Sequence, residues 1–194
     1  MMQKIAIIAL ATIAPAAQAA EPLNKPTRAE ERAMALTPEE ASLRMMVRGT
    51  DELDPTIWVS SEPFLKGSGD DKFFRAAIDK QSRAVVYQIY LRSTSSRGPL
   101  RLSKMTYMVA GRLKSVQVER VDLDVSCRSL CLHFEDAIAE IPREDLELLA
   151  KDTGPAWRAR LFGDTVQGID AGFLRNETAG FLIAVDRVLA RQAR

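Results

Sequence analysis

The chain has 194 residues, with 27 Lys and Arg against 26 Asp and Glu, one histidine and two cysteines. Charges of both signs are interspersed, without the basic excess or basic stripe of a protein that binds nucleic acid. This length suits a single domain with a sizeable core, and a lone histidine excludes every metal motif that needs two.

The first 19 residues have the features of a cleaved secretory signal peptide. Lys4 precedes an apolar run over residues 5–13, which is far shorter than the roughly 20 residues that cross a hydrocarbon core. Ala17-Gln18-Ala19 matches the small-x-small pattern of a cleavage site, so we expect cleavage between Ala19 and Ala20. The mature chain then has equal numbers of basic and acidic residues. We expect it to be periplasmic or secreted, with no membrane span.

Residues 20–55 are predicted to form a leader and one short helix. Few large apolar residues occur from 21 to 32, which is typical of a flexible segment. Thr37-Pro38-Glu39-Glu40 combines an N-cap threonine, a proline at the first helical position and a capping-box glutamate. Leu43, Met46 and Val47 follow at helical spacing, so we expect a helix from Thr37 to about Val47.

From residue 56 the pattern changes to the period-two alternation of strands. Turn-forming residues divide this region into hairpins, and a slip of the apolar phase near Glu119-Arg120 indicates a β-bulge. A Gly-Ser-Gly loop is expected over residues 66–71. The predicted strands are 56–61, 73–78, 84–92, 100–109, 113–126, 130–141, 156–162 and 166–171.

Two helices complete the prediction. Residues 142–152 form a short one, and residues 173–190 form an amphipathic C-terminal helix with Glu177 outside its apolar stripe. We therefore expect residues 56–194 to form one α+β domain. It would contain a mainly antiparallel sheet of about eight strands, for which a sandwich is one arrangement, with the C-terminal helix on one side. The apolar stripe consists of Phe181, Leu182, Val185, Val188 and Leu189.

The two cysteines are the most informative local feature. In an exported protein, Cys127 and Cys131 are expected to form a disulfide. If Val125 and His133 lie on paired strands, the cysteines close the end of a hairpin, at a Cα separation that a disulfide tolerates. Two alternatives stay open: a redox pair, although such pairs normally use Cys-x-x-Cys at a helix N-terminus, and a copper or zinc site with His133 as a third ligand.

Candidate catalytic groups are few. Any mechanism that needs histidine must use His133, which shares a strand face with Cys131 and Glu135, so that Glu135 could orient the imidazole. Asp122 and Asp124 lie on one side of their strand, as an acid/base pair would, but a solvated face explains them more simply. No catalytic, cofactor-binding or metal motif is complete, so we assign no catalytic residue, no metal ligand and no cofactor.

From residue 85 to the C-terminus, the order of features resembles small uncharacterised exported proteins of proteobacteria. The shared features are an aromatic-rich strand, a Cys-x-x-x-Cys run that leads into a strand with Glu135 and ends at Ile141-Pro142, a Leu-rich short helix and a closing amphipathic helix. The resemblance implies an envelope location and supports the disulfide. It implies no activity.

Together, these observations favour a non-catalytic exported protein that binds a partner protein or a small ligand. The alternative is an envelope enzyme or metal-binding protein centred on Cys127, Cys131 and His133.

The predicted processing can be measured directly. In protein isolated from its host's envelope, we expect an intact mass that begins at Ala20 and is two hydrogens lighter than the reduced chain, because export removes residues 1–19 and oxidises both thiols. Native mass spectrometry with and without reductant measures both changes. A chain that begins at Met1 would contradict export, and bound metal or reduced thiols would contradict the disulfide.

Overall fold

A computed structural model describes residues 28–61 and 72–193. The predicted signal peptide with its cleavage site at Ala19 and Ala20, the leader up to residue 27 and the predicted loop at 66–71 lie outside these ranges. Within them, the helices are α1 (Arg28–Met34), α2 (Pro38–Ser42), α3 (Arg143–Lys151) and α4 (Arg175–Gln192). The strands are β1 (Met46–Arg48), β2 (Thr56–Ser60), β3 (Lys72–Asp79), β4 (Val85–Ser95), β5 (Leu102–Val109), β6 (Arg112–Cys127), β7 (Cys131–Glu140), β8 (Ala156–Gly163) and β9 (Val166–Leu174).

These nine strands form one antiparallel sheet in the order β1-β2-β3-β4-β7-β6-β5-β8-β9, curled into a half-barrel. The predicted α+β class, antiparallel sheet and C-terminal helix are confirmed. The described strands do not form a sandwich, because β7 pairs with both β4 and β6 and so joins the hairpins into one continuous sheet. The predicted bulge is present in β6, where the register with β7 shifts between Arg120 and Asp122.

The segment before β2 differs most from the prediction. Residues 28–32, expected to be flexible, belong to α1. The capping box of Thr37 and Glu40 is present, but α2 ends at Ser42. The chain then buries Met45 and forms β1, which pairs with β2. Pairing with a distant strand therefore overrides the helical spacing of Leu43 and Val47, and both side chains are exposed.

Helix α4 covers one face of the sheet, which we call the inner face. Its apolar stripe is buried as predicted, with the ring of Phe181 5.4 Å from that of Phe74 and 6.2 Å from that of Tyr87. The helix begins at Arg175 rather than at residue 173, because Phe173 and Leu174 still pair with β8. Apolar side chains of the sheet and of α4 fill the space between them.

The N-terminal helices are anchored on α4. Asn176 Nδ2 donates hydrogen bonds to the carbonyl oxygens of Ala33 (2.6 Å) and Leu36 (2.9 Å). At Gly180, α2 approaches so closely that an added Cβ would lie 2.7 Å from the Cβ of Ala41 and 2.8 Å from the backbone nitrogen of Ser42. Only glycine fits this contact without a shift of α2.

We expect Gly180→Ala to lower the free energy of unfolding by about 1 to 3 kcal/mol, because overpacking against the backbone of α2 outweighs the better helix propensity of alanine. The matched control is Gly172→Ala in β9, where an added Cβ meets nothing within 4 Å. Urea unfolding of both variants measures the difference. Equal stabilities would show that α2 is not tightly packed on α4.

Candidate functional site

Strands β5 and β6 separate at one end of the sheet, and we call the point where they separate the fork. β6 pairs with β5 only as far as Gln117, which lies opposite Lys104, whereas its pairing with β7 continues to Cys127. On its other edge, β5 pairs with β8 from its first residue, Leu102, to Tyr107. Among the described residues, no strand pairs with the other edge of β6 from Val118 to Cys127. We call this edge the free edge.

Glu135 binds the backbone at the point where β5 begins. Its side chain is 1 % exposed, and its two oxygens accept hydrogen bonds from the backbone N–H groups of Arg101 and Leu102, each at 2.7 Å. The carboxylate therefore ties the start of β5 to β7. Sequence analysis placed Glu135 beside His133 as an orienting group, but in the structure both of its oxygens are engaged at the fork between β5 and β6.

A disulfide closes the tip of the β6–β7 hairpin. Cys127 and Cys131 lie directly opposite each other with their Cα atoms 4.0 Å apart, and Val125 lies opposite His133, as expected. A bonded pair of this kind is compatible with an oxidising, exported compartment. It also joins the last residues of β6 and β7 covalently, which holds their register.

His133 does not belong to a metal cluster in this state. The imidazole is half-buried on β7, between Val125 of β6 and Ser95 of β4. Within residues 28–61 and 72–193, no three His, Cys, Asp or Glu side chains come together in a way that could hold a metal ion. With both thiols in the disulfide, a site of Cys127, Cys131 and His133 is a hypothesis about the reduced protein.

Asp122 and Asp124 cover two donors of the free edge. Each is exposed, and each accepts a hydrogen bond from the next residue: Leu123 N donates to Asp122 Oδ1 at 2.8 Å, and Val125 N donates to Asp124 Oδ1 at 2.7 Å. Aspartate side chains readily form such local bonds to backbone N–H groups. These two N–H groups are therefore turned towards the carboxylates rather than towards β7.

Three apolar side chains are exposed along the same segment. The exposed fractions are 45 % for Val121, 39 % for Leu123 and 46 % for Val125. Leu123 and Val125 lie opposite Glu135 and His133, so they share the inner face of the sheet with these residues. The two aspartates are directed to the other face, which we call the outer face. The free edge is thus apolar on one face and acidic on the other.

A groove of about 470 Å³ lies at the fork beside the free edge. Its rim includes an ion pair between Arg101 and Asp164, at 3.7 Å between Nη1 and Oδ2, and both side chains are largely exposed. The groove is mainly polar. Its lining residues are Arg101, Leu102, Ser103, Arg120, Glu135 and Asp164.

The outer face of β2, β3 and β4 carries an arginine-aromatic cluster. The guanidinium of Arg75 lies 5.1 Å from the ring centre of Trp58 and 5.2 Å from that of Tyr90, within cation–π range. Burial, and secondarily a hydrogen bond with Asp136, raises the pKa of Tyr90 to about 12. Asp136 itself binds Arg92 in a bidentate pair (2.6 and 2.5 Å), which lowers the pKa of that carboxyl. These contacts link β2, β3, β4 and β7.

Glu177 is a buried carboxyl at the start of α4, although the helical pattern placed it outside the apolar stripe. Its Oε1 accepts a hydrogen bond from Ser61 Oγ at 2.6 Å, and the residue is 3 % exposed. Burial raises the pKa of Glu177 to about 7, against the smaller opposing effects of Ser61, Lys72 and the backbone of Leu174. The folded state therefore favours the protonated carboxyl.

Comparison of the chain with models of protein families, with curated proteins and with solved structures finds no match. None of the helices in residues 28–61 and 72–193 is long and apolar enough to cross a membrane. The fork and the free edge are therefore the features of this molecule that bear on its function.

The sequence identified several residues of this site, but it did not indicate that they lie along an open strand edge. It identified the bulge, Asp122, Asp124 and the cysteine pair. It missed the free edge, because an open edge depends on which strands are neighbours. The alternation of apolar residues with two aspartates gave no signal of an open edge, since β8, which pairs on both edges, alternates in the same way with Arg158 and Arg160.

We expect stability to fall as the pH rises from about 5 to 8, because Glu177 has a pKa of about 7 when folded against 4.5 as its ordinary value. Below 4.5 both states hold the proton; above 7 the folded state must bury a charge. The loss should reach about 3 kcal/mol. Glu177→Gln keeps an oxygen for Ser61 and should remove most of this dependence.

The measurement is urea unfolding of the wild type and variant at both pH values. The control is Glu52→Gln, which replaces an exposed carboxylate and should leave the pH dependence unchanged. If Glu177→Gln retains the wild-type dependence, burial of Glu177 is not its cause.

Proposed function

We propose that this protein is a non-catalytic periplasmic or secreted protein that binds a partner protein by adding a strand of the partner to the free edge of β6. The observation that carries this proposal is the edge of β6 from Val118 to Cys127, which lies in the middle of the strand order and which no other strand of the described residues pairs with. Strand addition to an open edge is a common mode of peptide recognition, in which main-chain hydrogen bonds give affinity and alternate side chains give specificity.

The other edges of the sheet are less suited to this role. β1 has only three residues. β9 contains Gly168 and Gly172. Among its described side chains, none of the large apolar ones is exposed. The free edge combines unpaired backbone with Val121, Leu123 and Val125. Exposed apolar side chains beside an open strand edge mark a surface that gains free energy when a partner covers it.

The disulfide supports this role. A docking edge binds well only if it keeps its shape without the partner, because ordering it on binding would reduce affinity. The bond between Cys127 and Cys131 joins the hairpin end next to the exposed apolar residues. Its formation also supports a periplasmic or secreted location, in line with the predicted signal peptide.

The alternatives have less support. An enzyme or metal centre at Cys127, Cys131 and His133 needs thiolates, and the disulfide holds both sulfurs. Binding of a small ligand would use the groove at the fork, but its most buried charged group, Glu135, is already hydrogen-bonded to the backbone of β5. We therefore favour a protein partner.

A photoreactive amino acid in place of Leu123 tests the proposal in the host's envelope. We expect it to form a covalent adduct with a second protein, and the same residue in place of Asp170 on β9 to form none. Adding Val125→Pro should abolish the adduct, because it removes an N–H that donates to Asp124 rather than to β7. Thermal unfolding checks that the proline variant is folded. Adducts at both positions, or adducts that survive the proline, would contradict the proposal.

A further inference from the structure

The charges of the free edge indicate what kind of strand it binds. From Val121 to Cys127, β6 carries only two charged side chains, and both are negative: Asp122 and Asp124. The segment contains no basic residue of its own. The nearest basic residues along the chain are Arg120 at the bulge and Arg128, which follows Cys127.

The neighbouring strand does not neutralise these aspartates either. Asp122 lies opposite Asp136, whose charge is already paired with Arg92, and Asp124 lies opposite Phe134. The hydrogen bonds that the two aspartates accept come from neutral backbone N–H groups. Their negative charges therefore face solvent without a counter-charge from β7.

We propose that the partner strand is basic at alternate positions, with Lys or Arg side chains that bind Asp122 and Asp124 and apolar side chains that cover Leu123 and Val125. This inference rests on the proposed function, because it specifies the occupant of the same edge.

The hydrogen bonds of the edge explain why basic side chains are needed. A docking strand must use the N–H groups of Leu123 and Val125 as donors to its own carbonyl oxygens, and both groups are now bound to aspartates. Docking therefore displaces the two carboxylates. A cation on the incoming strand provides a new partner for each carboxylate, since opposite charges on adjacent strands attract and like charges repel. A neutral strand leaves them to water, and an acidic strand adds repulsion.

The same charges argue against a second copy of this chain. A symmetric antiparallel pair of β6 strands centred on residue 122, 123 or 124 places Asp122 opposite Asp122, Asp122 opposite Asp124, or Asp124 opposite Asp124. Each register sets like charges side by side. In these three registers the aspartates disfavour self-association through this edge while leaving it open to a basic strand.

Synthetic peptides test this inference on the purified, oxidised mature protein. The first peptide alternates valine and lysine over about six residues, a typical strand length. The second replaces lysine by threonine, and the third replaces it by glutamate. In each, the nitrogens of the lysine, threonine or glutamate residues are methylated. This blocks stacking of the peptides on themselves and leaves the valine N–H groups free to exchange hydrogen bonds with Leu123 and Val125 in an antiparallel pair. Fluorescence anisotropy of labelled peptide gives the dissociation constants.

We expect the lysine peptide to bind about tenfold tighter than the threonine peptide, and the glutamate peptide to bind weakest. The advantage of the lysine peptide over the threonine peptide should shrink at high salt. The variant Asp122→Asn/Asp124→Asn keeps side-chain oxygens for the two N–H groups, so it should fold and bind the lysine and threonine peptides equally. The matched control, Glu39→Gln/Glu52→Gln, removes two exposed charges elsewhere and should keep the tenfold preference.

The outcomes separate the two proposals. If lysine and threonine peptides bind equally well to the wild type, and Val125→Pro abolishes both, the edge binds strands but the basic preference is wrong. If the lysine preference survives in the asparagine variant, the aspartates do not cause it and the inference is also wrong. If Val125→Pro, shown to be folded by thermal unfolding, leaves the binding of every peptide unchanged, or if no peptide binds, strand addition at the free edge is contradicted as well.

Discussion

Glu135 presents its carboxylate to the backbone of Arg101 and Leu102 in a place that water scarcely reaches. A carboxylate buried without partners would cost several kcal/mol, so these two N–H groups must stay where they are. They lie at the start of β5, where pairing with β6 has ended and pairing with β8 continues. This buried contact fixes the start of β5 at the fork, beside the groove and the free edge.

Both faces of the described sheet carry contacts among its own side chains. On the inner face, α4 covers the sheet with Phe181 and its apolar stripe. On the outer face, Arg75 and Arg92 hold the aromatic and acidic side chains of β2, β3, β4 and β7. Between these faces, the edge of β6 has no strand partner among the described residues, and exposed valine and leucine side chains lie beside it. A partner strand could therefore gain both hydrogen bonds and apolar burial there.

Local signals predicted much of this fold. Turn residues located the hairpins, the capping box of Thr37 and Glu40 located the start of α2, and the phase slip at Glu119-Arg120 located the bulge. Features that depend on distant residues were not predictable in the same way. The burial of Glu177 requires Ser61, and that of Glu135 requires the backbone near Arg101. β1 exists only because β2 lies beside it. The free edge is of this second kind, since it is defined by the absence of a neighbouring strand in the part of the chain that the structure describes.

The contact at Gly180 has a consequence for the order in which the protein is made. The ribosome makes α1 and α2 first and α4 last, yet the early helices rest on the late one. Until α4 has been made, the inner face has no cover and α2 has no surface on which to dock. Contacts between segments so far apart in the chain are slow to form. The described fold can therefore close only after α4, its last helix, has been made.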